Sequence, residues 1–291
     1  MKTILLTTDF SKAAHNSCSY GIELARAFNA RVILFSAYQQ VPMVISESAV
    51  VITADNMEAF LQRQLANEAN LVNRAGIVTL ETVCMEGSPA NSILKIAKEN
   101  NADIIVTGMK ESGKGFRRVM GSTVTALAGK TTIPLLVIPE EARYGGLNSI
   151  ALANESDIDA DADIHLLDAL REIGEKFQSR LYLLRIARNK FHEKYEALNR
   201  PFRLARALRT LAPVYKCIGG KGIEQAFNDF VAGYQVNMLA LLPHKYSLME
   251  RWFIKSTTRS MIFATHIPLL ILPEQGMEET IQEQSERRVS Q

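Results

Sequence analysis

The sequence predicts an α/β protein built from two tandem open, mostly parallel five-stranded sheets with helices on both faces. Three observations carry that expectation. Short apolar runs alternate with stretches whose apolar residues recur at helical spacing. The segment TTIPLLVIPEE at 131–141 returns as THIPLLILPEQ at 265–275. The length, 291 residues, exceeds one average domain and suits two.

The repeat holds in order along the chain. Pro134 and Pro268 set an offset of 134, which without a gap lays GSTVTAL (121–127) on KSTTRSM (255–261) and ADIIVTG (102–108) on VNMLALL (236–242). Nearer the start, TILLTTDFS (3–11) faces SIALANESD (149–157) at an offset of 146, and ELARAFNARVILF (23–35) faces EIGEKFQSRLYLL (172–184) at 149. One match between apolar runs can arise by chance; ordered matches at three places point to duplication. The offsets make the second copy slightly longer in its first helix and shorter opposite the stretch between about 38 and 85.

Within the first copy, residues 3–8, 31–37, 77–83, 103–108 and 134–138 read as strands rich in Ile, Val and Leu. Residues 14–29, 55–75, 89–100 and 121–130 read as helices, with Pro89 suited to a first turn. The second copy repeats the strands near 149–153, 180–186, 212–218, 237–242 and 268–272. Such alternation is that of βαβ units in a mostly parallel sheet. A charged, glycine-containing stretch at about 141–147 breaks the pattern, giving domains at 1–143 and 147–274 and a polar tail at 275–291.

Composition narrows the classes. Hydrophobic residues at 47% supply two cores, and a net charge of +2 gives no overall pull toward nucleic acid or an anionic membrane. Three scattered cysteines suit reduced thiols, not a disulfide framework. No apolar run approaches the ~18 residues of a membrane helix, and the first residues turn polar too soon for a signal peptide. The expectation is a soluble, cytoplasmic protein with neither nucleic acid nor membrane as partner.

Open parallel sheets bind ligands beyond the carboxyl ends of their strands, and two segments of the first copy lie there. The first is TTDFS at 7–11, where Asp9 can accept from a ribose hydroxyl or an adenine amino group; Asp9 or Ser11 can equally cap the following helix. The second runs from Gly108 to Thr123. Its glycines allow backbone N–H groups to approach phosphate oxygens, and a helix starting at Gly121, Ser122 and Thr123 adds two hydroxyls. Lys110, Lys114, Arg117 and Arg118 add positive charge; the alternative is a basic loop with no ligand.

Several other patterns fail on inspection. Gly108 to Lys114 spells G-x-x-x-x-G-K, but Gly115 stands where the Mg²⁺-binding hydroxyl of a P-loop belongs, and no acidic residue follows on the next strand. The histidines 15, 165, 192, 244 and 266 have no metal-binding spacing, and no G-x-S-x-G elbow occurs. The acidic run at 157–163 lacks the glycine and distal Glu of a Ca²⁺ loop, and the arginines of 200–209 suit a solvated or domain-bridging face.

Together the two strand-end segments resemble the universal stress protein family in its tandem-domain form. Residues 3–11 match the family's first strand with its Asp-Phe-Ser ending. Gly108 and Gly121-Ser122 match the outer positions of its loop, G-x2-G-x9-G-(S/T), and 133–139 match its last strand. The resemblance spans residues 1–274 and is closer in the first copy. It implies a Rossmann-like fold of the adenine nucleotide α-hydrolase kind, and a non-catalytic stress-response protein. It further implies adenine-nucleotide binding, with ATP as ligand and Mg accompanying a triphosphate. The implied residues are Asp9 at base or ribose, Ala37 through its backbone, Thr107, Gly108 and Lys110 at the start of the loop, and Gly121, Ser122 and Thr123 at the phosphates.

Glu111 departs from the motif by replacing its second glycine, which sets a carboxylate toward phosphate oxygens unless Gly113 and Gly115 reroute the loop. In the second copy Glu155, Leu242, Lys245 and Lys255 stand for Asp9, Gly108, Glu111 and Gly121, while Ser256 and Thr257 survive. That copy is expected to have lost nucleotide binding, with Met249, Trp252 and Phe253 filling the cleft or covering an interface. The resemblance also implies that 134–139 and 268–273 meet in an intramolecular pseudo-dimer, with a homodimer as a further option. The alternative function is a nucleotide-free scaffold or dimerisation module; an NTPase is disfavoured.

Overall fold

The computed structural model describes residues 1–39, 54–110, 121–153, 164–187, 202–219, 223–242 and 266–273. The apolar runs form strands because sheet faces on both sides are covered: every residue of β1 (Thr3–Thr7), β5 (Leu135–Pro139) and β6 (Ser149–Ala153) is buried. Between them come α1 (Lys12–Phe28), β2 (Arg31–Tyr38), α2 (Ala54–Val72), β3 (Leu80–Glu86), α3 (Pro89–Glu99), β4 (Ile104–Met109) and α4 (Ser122–Ala128). After β6 follow α5 (Asp168–Phe177), β7 (Arg180–Ala187), α6 (Phe202–Ala207), β8 (Val214–Gly219), α7 (Ile223–Gly233), β9 (Met238–Leu241) and β10 (Leu269–Ile271). A 3₁₀ turn, Ile164–Leu167, leads into α5, which with ten residues is shorter than the 17 of α1. Lengthening of the second copy's first helix is therefore not seen among the described residues.

The strands form one sheet where the sequence pattern suggested two. Its order is β3-β2-β1-β4-β5-β10-β9-β6-β7-β8. Neighbours run parallel except at the centre, where β5 and β10 are antiparallel. Helices α1, α2, α5 and α6 cover one face and α3, α4 and α7 the other, and the apolar core on each face continues across the β5–β10 seam.

The order read outward from the seam is the same on both sides, and so are individual bonds. Thr3 N–H donates to Asp103 Oδ2 at 2.8 Å, and Ser149 N–H donates to Asn237 Oδ1 at 3.0 Å, residues matched by the offsets of 146 and 134. Left-handed residues recur likewise: Asn29 (φ 52°) with Gln178 (φ 51°), and Asn101 (φ 49°) with Gln235 (φ 50°). Each ends the turn that delivers the chain to the amino end of a strand.

The seam has two-fold character. Leu136 faces Leu270, its counterpart at the offset of 134, flanked by Leu135 with Ile271 and Val137 with Leu269. A contact of each residue with its own equivalent is what an isologous interface requires. Phe28 and Phe177, matched at the offset of 149, likewise meet edge to face with ring centroids 5.9 Å apart. The amino group of Met1 reaches Glu172 in a further bond between the halves.

Residues after β5 are held down on α1. Asn16 Nδ2 donates to the carbonyls of Pro139 (3.1 Å) and Ala142 (2.8 Å), and Arg143 Nη1 donates to Asn16 Oδ1 at 2.7 Å. At the outer edge, β3 begins three residues later than the apolar run suggests. Asn73 Oδ1 accepts from Ile77 N–H at 3.1 Å, and Asn73 Nδ2 donates to the Val78 carbonyl at 2.9 Å, which keeps Ile77 and Val78 in a turn.

Candidate functional site

The strand order reverses between β1 and β4: from β1 the chain moves outward to β2 and β3, then returns to β4 and β5. A crevice opens at the carboxyl ends of strands beside such a switch point. Here it is a cavity of about 520 Å³. All eight residues nominated from the sequence line it: Asp9, Ala37, Thr107, Gly108, Lys110, Gly121, Ser122 and Thr123.

The turn after β1 sets Asp9. Phe10 takes a left-handed backbone (φ 61°), its N–H donating to Thr8 Oγ1 at 2.9 Å, and Ser11 N–H donates to Asp9 Oδ1 at 3.0 Å. Ser11 then caps α1, its Oγ accepting from Ala14 N–H at 3.3 Å. Of the two residues that qualified as caps, Ser11 fills that role and Asp9 is left turned toward the neighbouring strand.

Asp9 Oδ2 meets Lys110 Nζ at 2.8 Å, an ion pair between the ends of β1 and β4, with each side chain about 60% exposed. Partial burial pushes the Asp9 carboxyl up; the Lys110 ammonium and the Ser11 donors outweigh it and hold the group below its ordinary value. Among the described lining residues these two alone carry charge, and they cancel.

The two glycines have different reasons to be glycine. A Cβ on Gly108 would sit 2.5 Å from the Ala13 carbonyl oxygen and 2.9 Å from Ala14 N, so β4 can pass under the first turn of α1 only without a side chain. Gly108 thus has a packing reason to be glycine, besides the approach to a phosphate that the sequence pattern suggested. A Cβ on Gly121 meets nothing within 4 Å, and its φ of −59° is open to any residue. Gly121 is exposed and lines the cavity.

Sequence reasoning missed the apolar wall. Phe35, Pro89, Ile93 and Val124 line the side facing α3 and α4, and Thr7, Thr8, Ser11 and Ala14 complete the rim. A signal existed: Phe35 and Ala37 are two apart on β2 and share a face, while Pro89 and Ile93 are four apart on α3. The cavity thus sets an apolar wall beside a hydroxyl-rich rim, the mixture common to small-molecule sites.

Glu111, Gly113, Lys114, Gly115, Arg117 and Arg118 lie outside the described residues. So do Glu155, Lys245, Met249, Trp252, Phe253, Lys255, Ser256 and Thr257, the acidic run and the tail. Leu242 is described: it is buried, 5% exposed, in the same core as Leu272. His15 Nδ1 lies 3.0 Å from Glu68 Oε1, tying α1 to α2. Among the described residues no three His, Cys, Asp or Glu converge as metal ligands, and no helix is long and apolar enough to cross a membrane.

Fold and cavity define an open, doubly wound α/β domain with a ligand-sized cleft at its switch point. The sequence profile of the universal stress protein family matches residues 1–139, just under half of the chain, and those residues form a universal stress protein domain. A universal stress protein of Thermus aquaticus is 27% identical over 137 residues, 47% of this chain and 98% of that one. One from Synechocystis is 29% identical over 138 residues, 47% of this chain and 85% of that one. The crystal structure of a universal stress protein from Archaeoglobus fulgidus superposes with a TM-score of 0.71 at 13% identity, over 93% of this chain and 98% of its own. That likeness of fold extends through both halves.

Proposed function

We propose that the chain is a tandem universal stress protein, cytoplasmic and non-catalytic, which binds an adenine nucleotide in its first domain as part of a stress response. On this reading residues 1–143 form the binding domain and 147–274 a second domain that keeps the fold without the site. The observation that carries it is the convergence of eight residues, nominated from three separate segments, on one cavity beside the switch point. The recurrence of bonds and left-handed residues at the sequence offsets supports a duplication.

The lining suits the ligand in kind. Phe35 and Ile93 offer apolar surface to the adenine, Asp9 an acceptor to a ribose hydroxyl, and Ser122 and Thr123 hydroxyls to phosphate oxygens. ATP is the ligand proposed, with Mg accompanying the triphosphate. The non-catalytic reading is supported by the carboxylate among the described lining residues, Asp9, being paired with Lys110 and held below its ordinary pKa, which makes it a weak base at neutral pH. With β5 and β10 committed to each other, the halves form a pseudo-dimer within one chain, and a homodimer would need another surface.

Nucleotide released by denaturing freshly purified protein, combined with a phosphate-release assay on added ATP, tests the reading. Bound adenine nucleotide with no phosphate release is expected. Phosphate release at enzymatic rates would instead make the protein an NTPase. Neither bound nucleotide nor binding of added ATP would leave the nucleotide-free scaffold.

A further inference from the structure

The Asp9–Lys110 pair joins the ends of the two strands that flank the switch point, and both members line the cavity at hydrogen-bond distance from each other (2.8 Å). Asp9 is held from its other side by Ser11 N–H at 3.0 Å, in a turn fixed by the left-handed Phe10. The carboxylate therefore keeps its place. The lysine is the mobile partner: its ammonium sits on a flexible four-carbon stem, is 59% exposed and has three donors to redirect. An ion pair this exposed is weak enough to be traded for another anion.

We propose that Lys110 is an exchangeable counter-ion that makes the cavity discriminate phosphorylated from unphosphorylated ligands. Paired with Asp9, it covers one carboxylate oxygen on which a nucleoside would rely. A ligand carrying phosphate draws the ammonium to itself and uncovers Asp9 for its ribose or base, so two contacts are gained by one movement. A nucleoside without phosphate offers the lysine nothing and must compete with it. The inference rests on the nucleotide reading above and adds to it the selection between ligand classes.

Titration calorimetry with adenosine and with ATP, on the full-length chain and its Lys110→Met variant, tests the exchange. In the variant, adenosine should bind about threefold more tightly, since a weak, exposed rival has gone. ATP should bind about tenfold more weakly, through loss of a charge-assisted contact. The two ligands thus move in opposite directions, which neither a general packing defect nor a uniform loss of affinity can produce. Lys110→Arg should restore the original order. Raising salt should strengthen adenosine binding to the unaltered chain, because it screens the exposed pair. Adenosine and ATP weakening together in Lys110→Met, or neither changing, would overturn the exchange while leaving the nucleotide site intact. Failure of both ligands to bind the unaltered chain at millimolar concentration would overturn the nucleotide reading and this inference with it.

Discussion

At the carboxyl end of its fourth strand the first half of the chain has Gly108, and at the matching place the second half has Leu242. Gly108 lets the first turn of α1 lie against the strand, with no room for even a Cβ below Ala13. Leu242 is itself core. Yet at the opposite, amino ends of the same strands the halves agree bond for bond, in Asp103 and Asn237 and in Asn101 and Gln235. The amino ends keep bonds that the fold repeats, while the carboxyl ends differ in what packs there: a helix turn against Gly108 in the first half, a core side chain in the second.

The largest test of this contrast transplants the residue. Gly108→Leu should destabilise the protein by about 3 kcal/mol or more in urea denaturation, because the obstacle is backbone that cannot repack. A cost below about 1 kcal/mol would mean that α1 tolerates displacement and that Gly108 does not set its position. The two-fold seam offers the next test. Leu136→Ala and Leu270→Ala each remove a fully buried side chain and should each cost about 2–5 kcal/mol. The pair should agree within about 1 kcal/mol; a larger gap would show that the two sides of the seam are packed unlike each other.

A smaller effect is expected where α1 meets α5. A double-mutant cycle on Phe28→Ala and Phe177→Ala should return a coupling of about 0.5–1.5 kcal/mol, and strict additivity would remove the edge-to-face contact from the account. The smallest concerns Asp9. Its folded pKa lies below the ordinary value of about 4, so its contribution to stability is present above that pH and fades as pH falls through the folded value. Asp9→Asn should therefore slightly lower stability at neutral pH, where that contribution is present, and flatten the loss of stability below about pH 4. An unaltered acid limb would show that the carboxylate gains nothing on folding.

Much of the scaffold was legible because buried parallel strands are uninterrupted apolar runs, as in ILL at 4–6 and LLVI at 135–138. β3 was placed less well: it is an edge strand with Glu81 and Thr82 exposed, and the apolar Ile77-Val78 that drew the prediction is a turn tied by Asn73. Asp9 and Gly121 stood out in the two segments that follow strands one and four, and Ala37 and Thr107 came only with the resemblance; all four line the cavity. The packing reason for Gly108 was not legible, since the pressure on it comes from Ala13, 95 positions earlier. Nor was the ion pair of Asp9 with Lys110, which depends on β1 and β4 being neighbours in space. The continuous sheet also escaped the strand pattern, because an antiparallel partner at the seam leaves the apolar run of β5 unchanged.

On the proposed function, one half of the chain holds a nucleotide site and the other does not. Titration calorimetry of ATP into nucleotide-free protein, compared with its Gly121→Trp variant, tests it most directly. A Cβ at Gly121 meets nothing within 4 Å among the described residues, and the backbone there is unstrained. One site per chain is expected, abolished in the variant while its thermal unfolding is unchanged. Two sites per chain, or affinity untouched by Gly121→Trp, would contradict it.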